Sequence, residues 1–316
     1  MANRSPKELA GIVLKPEAGM EGTLERKLNL GAVVIISLSA MLGSGLFVLP
    51  ALAMLQMGGG DQPVGGVWLA YLVAAVIVLP AAISKSELAT AMPTSGGSYV
   101  YVQRTFGPMF GTISGLGLWA NFMLKSAFAL IGFKAYLWVI EDIVGINIDI
   151  EIAALVLLAL IVGINILGVK RMKKVQTPVV LISVTYLLVL CAYALATMDM
   201  NWDNVFSREA FGSDWEAVAS TAAFVFVSYA GVTKIAAIGG EIKDPSRNIP
   251  NGILLSLLIS ATLYVVVTLI MAASLDPALF MDANHAGHAR EDPVFLFADG
   301  VGGKEIGIVA ALLSVL

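Results

Sequence analysis

Two lysines stand inside long apolar segments of this chain, where an ionisable side chain needs an explanation. Lys125 lies about 17 residues into one segment, and Lys234 lies in the second half of another, three residues after a run of small residues. At membrane depth such a lysine is costly and commonly serves as a proton carrier or as a counter-charge to a substrate. Alternatively, its long stem snorkels and brings the ammonium to water. Both interpretations stay open, and Lys234 is the stronger candidate for a functional role because small residues precede it.

The remaining reactive side chains do not form a catalytic or metal-binding set. Cys191 is the only cysteine, which excludes a disulfide within the chain and a cysteine-ligated metal cluster. His285 and His288 are three residues apart, but without a third ligand we expect them to be solvated. The apolar segments hold no histidine and no pair of carboxylates, so we expect neither an enzyme nor a bound cofactor.

The segment "LSAMLGSGLFVLP", residues 38–50, places Gly43, Ser44 and Gly45 in the middle of an apolar run. Glycine costs a helix interior about 1 kcal/mol relative to alanine. One explanation is close helix packing, since small residues recur here at the four-residue spacing that lets two helices approach. The other is an interrupted helix whose exposed backbone binds a ligand.

A second interruption favours the binding explanation. The segment "AFVFVSYAGVTKIAAIGGE", residues 223–241, carries Ser228, Ala230 and Gly231 near its middle. Paired interruptions in corresponding helices are a sequence sign of a secondary transporter. The N-terminal end of the half-helix from about Phe47 would attract a carboxylate, and freed carbonyl groups would accept hydrogen bonds from an ammonium. Such a site suits a zwitterion.

These segments belong to an all-α integral membrane protein. Of the 316 residues, 58% are hydrophobic and only 13% are charged, and the mean hydropathy is +0.85. Seven stretches have the roughly 20 apolar residues that cross a bilayer. They are residues 31–55, 65–83, 108–133, 152–169, 175–198, 217–240 and 249–275, and an eighth starts at Ile306. Because it stops after eleven residues, we expect the chain to be a fragment of about seven and a half helices.

The distribution of basic residues predicts the orientation of the spans. With the N-terminal arm (residues 1–28) in the cytoplasm, 13 of the 19 lysines and arginines fall on the cytoplasmic side and four on the outer side. This asymmetry predicts a multi-pass protein of the cytoplasmic membrane. The basic residues form no single patch, so no nucleic-acid partner is expected.

Three motifs in register resemble the amino acid/polyamine/organocation (APC) superfamily of permeases. They are "GSGLFVLP", "ELATAMPTSGGSYVYVQRTFGP" (residues 87–108) and "GGEIKDPSRNIPNGI" (residues 239–253). The resemblance implies the inverted-repeat fold of the bacterial leucine transporter, with interrupted helices 1 and 6. The first repeat would occupy residues 29–198, an external loop residues 199–214, and an incomplete second repeat residues 215–316.

The resemblance also implies which residues bind the substrate. The carboxylate would lie on N–H groups around Ser44 and Gly45, while Met41, Val227 and Ala230 would offer carbonyls to the ammonium. The implied binding set is Met41, Gly43, Ser44, Gly45, Phe226, Val227, Ala230 and Gly231. Phe226 and Tyr229 are candidates for a gate, with ordinary helix packing as the alternative.

Two departures from the superfamily bear on coupling and substrate. Ser183 stands where some proton-coupled relatives have a lysine, so the coupling candidates are Lys234, Lys125 and Ser183, with H⁺ or Na⁺ as the ion. Asn121 and Thr233 occupy positions where an amine transporter would favour an acidic residue. We therefore expect amino acid transport by alternating access. The alternatives are an amine or polyamine exchanger and an amino-acid sensor that does not transport.

Local signals at the span ends give three further expectations. Asn248 and Pro250 are expected to start the seventh span. The polar segment 276–304 is expected to be a loop. Glu87 and Glu241 are expected to be solvated, or to pair with Arg26 or Lys27 as an inner gate.

Overall fold

A computed structural model describes residues 26–144, 149–166, 169–212, 214–282 and 288–315. These residues are mostly helical, and the β-pairing among them consists of three isolated bridges. Four helical stretches are long and apolar enough to cross a membrane, in agreement with the predicted class of protein. Most of the predicted arm, residues 1–25, and His285 lie outside the described residues.

The first span is divided into three helices: α1 (Leu30–Met41), α2 (Gly43–Phe47) and α3 (Leu49–Met57). The side chain of Asn29 caps α1 by accepting a hydrogen bond from the Ala32 N–H at 3.1 Å. The helical path bends at Leu42 and turns again at Val48. The predicted interruption is therefore present, and it begins one residue before Gly43.

The middle of the chain supplies four longer helices and two short ones. They are α4 (Val67–Ala91), α5 (Ser98–Phe106), α6 (Pro108–Val144), α7 (Ile150–Ile166), α8 (Val169–Thr197) and α9 (Asp203–Phe206). Four of these follow apolar segments of the sequence, and α4 continues past Ile83 through Lys85 and Glu87.

The sixth span changes its helix type at the predicted interruption. Helix α10 (Trp215–Val225) is followed by a 3₁₀ segment (Phe226–Thr233) and by the short α11 (Lys234–Ala237). A 3₁₀ stretch inside a helix has poorer hydrogen-bond geometry and often marks a functional hinge. The chain continues with α12 (Pro245–Ser274), α13 (Pro293–Gly302) and α14 (Lys304–Val315).

Two expectations about helix ends were wrong. Helix α12 starts at Pro245, so Pro250 lies inside it, and Asn248 donates from Nδ2 to the Lys243 carbonyl at 2.6 Å instead of capping the helix. Proline at the first turn loses no hydrogen bond, which explains the earlier start. The polar segment after α12 is not only a loop, because it contains α13 and a 3₁₀ turn at Pro277–Phe280.

An ion pair stabilises the segment that leads into α13. Arg290 binds Asp292 through two hydrogen bonds of 2.9 Å, and Asp292 is buried. This hydrogen bonding raises the pKa of the Arg290 guanidinium above its ordinary value. Arginine is charged at physiological pH with or without this pair, and the pair supplies the buried Asp292 carboxylate with two donors.

The core lies where α12 packs against α4 and α1. Buried side chains such as Tyr71, Met41 and Tyr264 fill this contact. On the other faces of the long helices, large apolar side chains are exposed, including Leu124 at 72% and Leu155 at 65%. Exposed apolar faces of this extent indicate contact with lipid.

Candidate functional site

The two interrupted spans touch each other at their interruptions. A Cβ atom added to Gly45 would lie 2.9 Å from the Ser228 Cβ, and one added to Gly231 would lie 2.7 Å from the Ala40 carbonyl carbon. Real Cβ atoms do not approach neighbours this closely, so the contact requires glycine at both positions. The small residues thus provide close packing, as the first explanation of Gly43–Gly45 requires, while the irregular backbone lies on either side of them, at Leu42 and Val48.

Tyrosine hydroxyls bind several carbonyl groups that the interruptions leave without regular helical partners. Tyr264 donates to the Met41 carbonyl at 2.6 Å and to the Ser228 carbonyl at 3.4 Å, and so joins both interruptions. Tyr71 donates to the Gly45 carbonyl at 3.0 Å. These tyrosines come from α12 and α4, which stabilise the irregular backbone because its polar groups find protein partners in place of water.

Lys125 reaches the first interruption from α6. Its Nζ donates to the Ala40 carbonyl at 2.6 Å, next to the contact between Ala40 and Gly231. The side chain is therefore directed toward the first span rather than toward the membrane edge. Lys234, at the start of α11, is exposed and lies close enough for its charge to interact with that of Lys125. A role for either lysine in coupling stays a prediction.

A cavity of about 170 Å³ opens between the first interruption, α8 and α14. Its polar lining consists of side chains from three elements, and Gly43 adds exposed backbone. Ser183, which is 5% exposed, lies in this wall. The polar side chains are Ser39, Gln176, Ser183 and Ser314. The buried Gln176 Oε1 has no hydrogen-bond partner within the described residues.

The structure distributes the predicted residues of the sixth span over different environments. Phe226 and Val227 are exposed, at 41% and 43%. Tyr229 is buried and donates to the Tyr71 carbonyl at 3.0 Å, so in this conformation it packs in the core. Ala230 is half-buried. The side chains of Ser44 and Thr233 lie outside the described residues.

Three tyrosines at this site were not predicted from the sequence. Tyr71, Tyr136 and Tyr264 each supply a hydroxyl to the interrupted backbone, and Tyr136 donates to the Phe47 carbonyl at 2.6 Å. A polar tyrosine inside an apolar span was the available clue, since a buried hydroxyl needs a partner. Among the described residues, histidine, cysteine and acidic side chains form no group of three or more that could hold a metal ion.

Peptide groups join the start of the first span to the end of the sixth. The N–H groups of Lys27 and Leu28 both donate to the Glu241 carbonyl, at 2.9 and 3.0 Å, and the Lys243 N–H donates to the Leu28 carbonyl at 2.8 Å. Nearby, the Gly96 N–H donates to the Ala237 carbonyl at 3.2 Å. We call these four hydrogen bonds the backbone clasp. They lie beside the predicted ion pair of Glu241 with Arg26 or Lys27.

Comparisons with known proteins show which family and which relatives this chain resembles. The family described as Amino acid permease matches residues 32–289. The branched-chain amino acid permease of Bacillus subtilis is 27% identical over 319 residues, which cover 94% of this chain and 65% of the relative. An uncharacterized transporter of Mycobacterium tuberculosis is 29% identical over 259 residues, covering 80% of this chain and 54% of the relative.

The methylthioribose transporter of Bacillus subtilis is also similar, at 23% identity over 316 residues, which cover 93% of this chain and 65% of that protein. The chain thus spans between about half and two thirds of the length of these curated relatives.

Proposed function

Because this chain belongs to the amino acid permease family of the APC superfamily, we propose that its protein transports amino acids across the cytoplasmic membrane by alternating access. The observation that carries the proposal is the contact between the two interruptions, at Gly45 against Ser228 and at Gly231 against Ala40. Two interrupted spans that meet beside their breaks inside a membrane bundle can offer N–H and C=O groups of the breaks to a small polar solute. Branched-chain amino acids are the first class to test, since a relative's name specifies them.

In the proposed site, the substrate carboxylate binds N–H groups around Ser44 and Gly45. Its ammonium binds carbonyl groups of the sixth span, at Val227 and Ala230. Met41 is less suited to this role than the sequence suggested, because its carbonyl already accepts a hydrogen bond from Tyr264. Phe226, which is exposed beside this segment, is the better candidate for a gating side chain than the buried Tyr229.

We further propose that the cavity beside Ser183 holds the coupling ion. Its polar side chains offer oxygen atoms from Ser39, Ser183 and Ser314 and from the unpaired Gln176 Oε1. Oxygen ligands suit a hard cation such as Na⁺, whereas proton coupling needs a titrating group, for which Lys234 is the candidate. The orientation that accompanies this proposal places the start of α1 on the cytoplasmic side, from the distribution of lysine and arginine.

The deciding experiment measures the uptake of labelled amino acids into proteoliposomes that contain the full-length protein. Labelled leucine, isoleucine and valine are presented at several pH values, with and without Na⁺, and unlabelled amino acids, polyamines and methylthioribose serve as competitors. We expect saturable uptake of at least one branched-chain amino acid. Uptake that only a polyamine or methylthioribose inhibits would favour another substrate class. Binding without uptake would indicate a sensor.

The dependence on Na⁺ and the variant Ser183→Ala distinguish the two coupling ions in the same assay. If Na⁺ drives uptake, Ser183→Ala should weaken the dependence on Na⁺ and leave the pH profile unchanged. If protons drive it, Na⁺ should have no effect.

A further inference from the structure

Lys125 places an ammonium group at the C-terminal end of α1. The last carbonyl groups of a helix lack intrahelical partners and carry the negative end of the helix dipole, so they attract cations. Lys125 Nζ lies 2.6 Å from the Ala40 carbonyl, and the side chain is half-buried. This is the environment that would suit the amine of a substrate, and the chain fills it with its own amine.

The neighbouring carbonyl is occupied as well. Met41, the last residue of α1, accepts a hydrogen bond of 2.6 Å from Tyr264, whose hydroxyl also contacts the Ser228 carbonyl. Both carbonyls at the end of α1 thus have donors from the protein. An incoming amine can bind there only by displacing a charged or a buried donor.

The charge around the interruption is positive. Lys234 lies close enough to interact electrostatically with Lys125. The acidic residues of the described parts of the first, third and sixth spans lie toward the span ends, namely Glu141, Asp142, Glu216 and Glu241. In the described residues of these three spans, the charged side chains near the interruption are lysines, so a carboxylate entering there meets attraction from Lys125, whereas a free amine meets repulsion.

We infer that Lys125 makes this site selective for carboxylate-bearing solutes, by occupying the amine-binding end of α1 and presenting a positive charge to the substrate carboxylate. The inference rests on the proposed function insofar as it takes the contact between the interruptions as the substrate site. It predicts that the carboxylate is the indispensable half of the substrate. Amines that lack a carboxylate are then poor ligands.

Two analogues of leucine separate these halves. The compound 4-methylpentanoate keeps the carboxylate and lacks the amine, and 3-methylbutylamine keeps the amine and lacks the carboxylate. Each is tested against labelled leucine uptake by the intact protein in proteoliposomes. Each is also tested for its shift of thermal unfolding in detergent, which detects binding even without transport. In the wild type, the carboxylate should act at a concentration at least about tenfold lower than the amine.

The variant Lys125→Gln removes the charge and keeps an N–H donor at this position, on a side chain that is one atom shorter. We expect it to lower the preference for the carboxylate by about tenfold, since a hydrogen bond to a charged group exceeds a neutral one by roughly this factor. Lys125→Arg keeps the charge and should keep the preference. Lys243→Met removes an exposed lysine outside the site and serves as the matched control.

An unchanged preference in Lys125→Gln, or a wild type that binds the amine as well as the carboxylate, overturns the inference. If Lys125→Gln fails to insert in the membrane, the relative affinity of the wild type for the two analogues tests the inference instead. A protein that takes up no amino acid but is stabilised by the carboxylate contradicts the proposed function and supports this inference. Leucine uptake that 3-methylbutylamine inhibits as strongly as 4-methylpentanoate supports the proposed function and contradicts this inference.

Discussion

At the scale of single residues, the contact between the interrupted spans depends on two glycines, because a Cβ atom at either position would collide with the other span. Gly45 faces Ser228, and Gly231 faces the Ala40 backbone and the Met41 side chain. A backbone neighbour cannot move aside as a flexible side chain can. The sequence therefore has little freedom at Gly231, whatever solute binds nearby.

The variant Gly231→Ala should destabilise the protein by about 1–3 kcal/mol, because the new Cβ would lie 2.7 Å from the Ala40 carbonyl carbon. Thermal unfolding in detergent measures the loss. Gly43→Ala is the matched control, since nothing lies within 4 Å of a Cβ added there, and its effect should stay within about 0.5 kcal/mol. Equal unfolding temperatures for the two variants would contradict this steric explanation.

The variant Lys234→Met should abolish or uncouple uptake while the protein still inserts in the membrane. The physical reason is that methionine keeps the apolar stem of the side chain but removes the group that can carry a proton. Uptake at several pH values measures the effect, with Lys243→Met as the control for loss of a lysine. A pH profile identical to that of the wild type would exclude Lys234 from the mechanism.

Residues were predictable from the sequence where their own type was unusual for its surroundings. The glycines in the apolar runs and the two lysines inside apolar segments could be singled out for this reason. Tyr264 did not, because its partner Met41 is 223 residues away and only the packing of α12 on α1 brings them together. For the same reason, Lys125 was recognisable as a buried charge, but its bond to the Ala40 carbonyl was not.

At the scale of helices, apolar length predicted the spans well, while turn chemistry predicted their ends less well. The first span was predicted as residues 31–55, and its three helices cover Leu30–Met57. Pro245 directly follows Asp244, and Pro250 lies two residues after Asn248, so either proline could begin a helix, and the structure uses the first. Helix α13 was missed because its ten residues are too few for a span.

The backbone clasp can be tested with one pair of variants. Lys27→Pro removes an N–H that donates to the Glu241 carbonyl, whereas Lys27→Ala keeps it and removes only the side chain. Hydrogen exchange at the Lys243 amide, which donates to the Leu28 carbonyl, should become faster in Lys27→Pro. If Lys27→Ala accelerates exchange equally, the side chain rather than the peptide group holds the two segments together.

At the scale of the whole molecule, composition alone predicted the class of protein. A chain with 58% hydrophobic residues cannot bury all of them internally, and the structure exposes large apolar side chains along α4, α6, α7 and α8. What composition could not predict is how the spans meet. That depends on contacts between distant segments, such as α12 with α4 and α1, which leave no local pattern in the sequence.

The backbone clasp has a consequence for how this protein tolerates mutation. Its hydrogen bonds join the N–H groups of Lys27, Leu28 and Lys243 to peptide carbonyls, and every amino acid except proline supplies these same groups. Random substitution at the solvent-facing positions can therefore alter charge and size without removing the hydrogen bonds themselves. In evolutionary terms, the hydrogen bonds of these three N–H groups are robust to neutral drift, and proline is the substitution that would remove a donor at Lys27, Leu28 or Lys243.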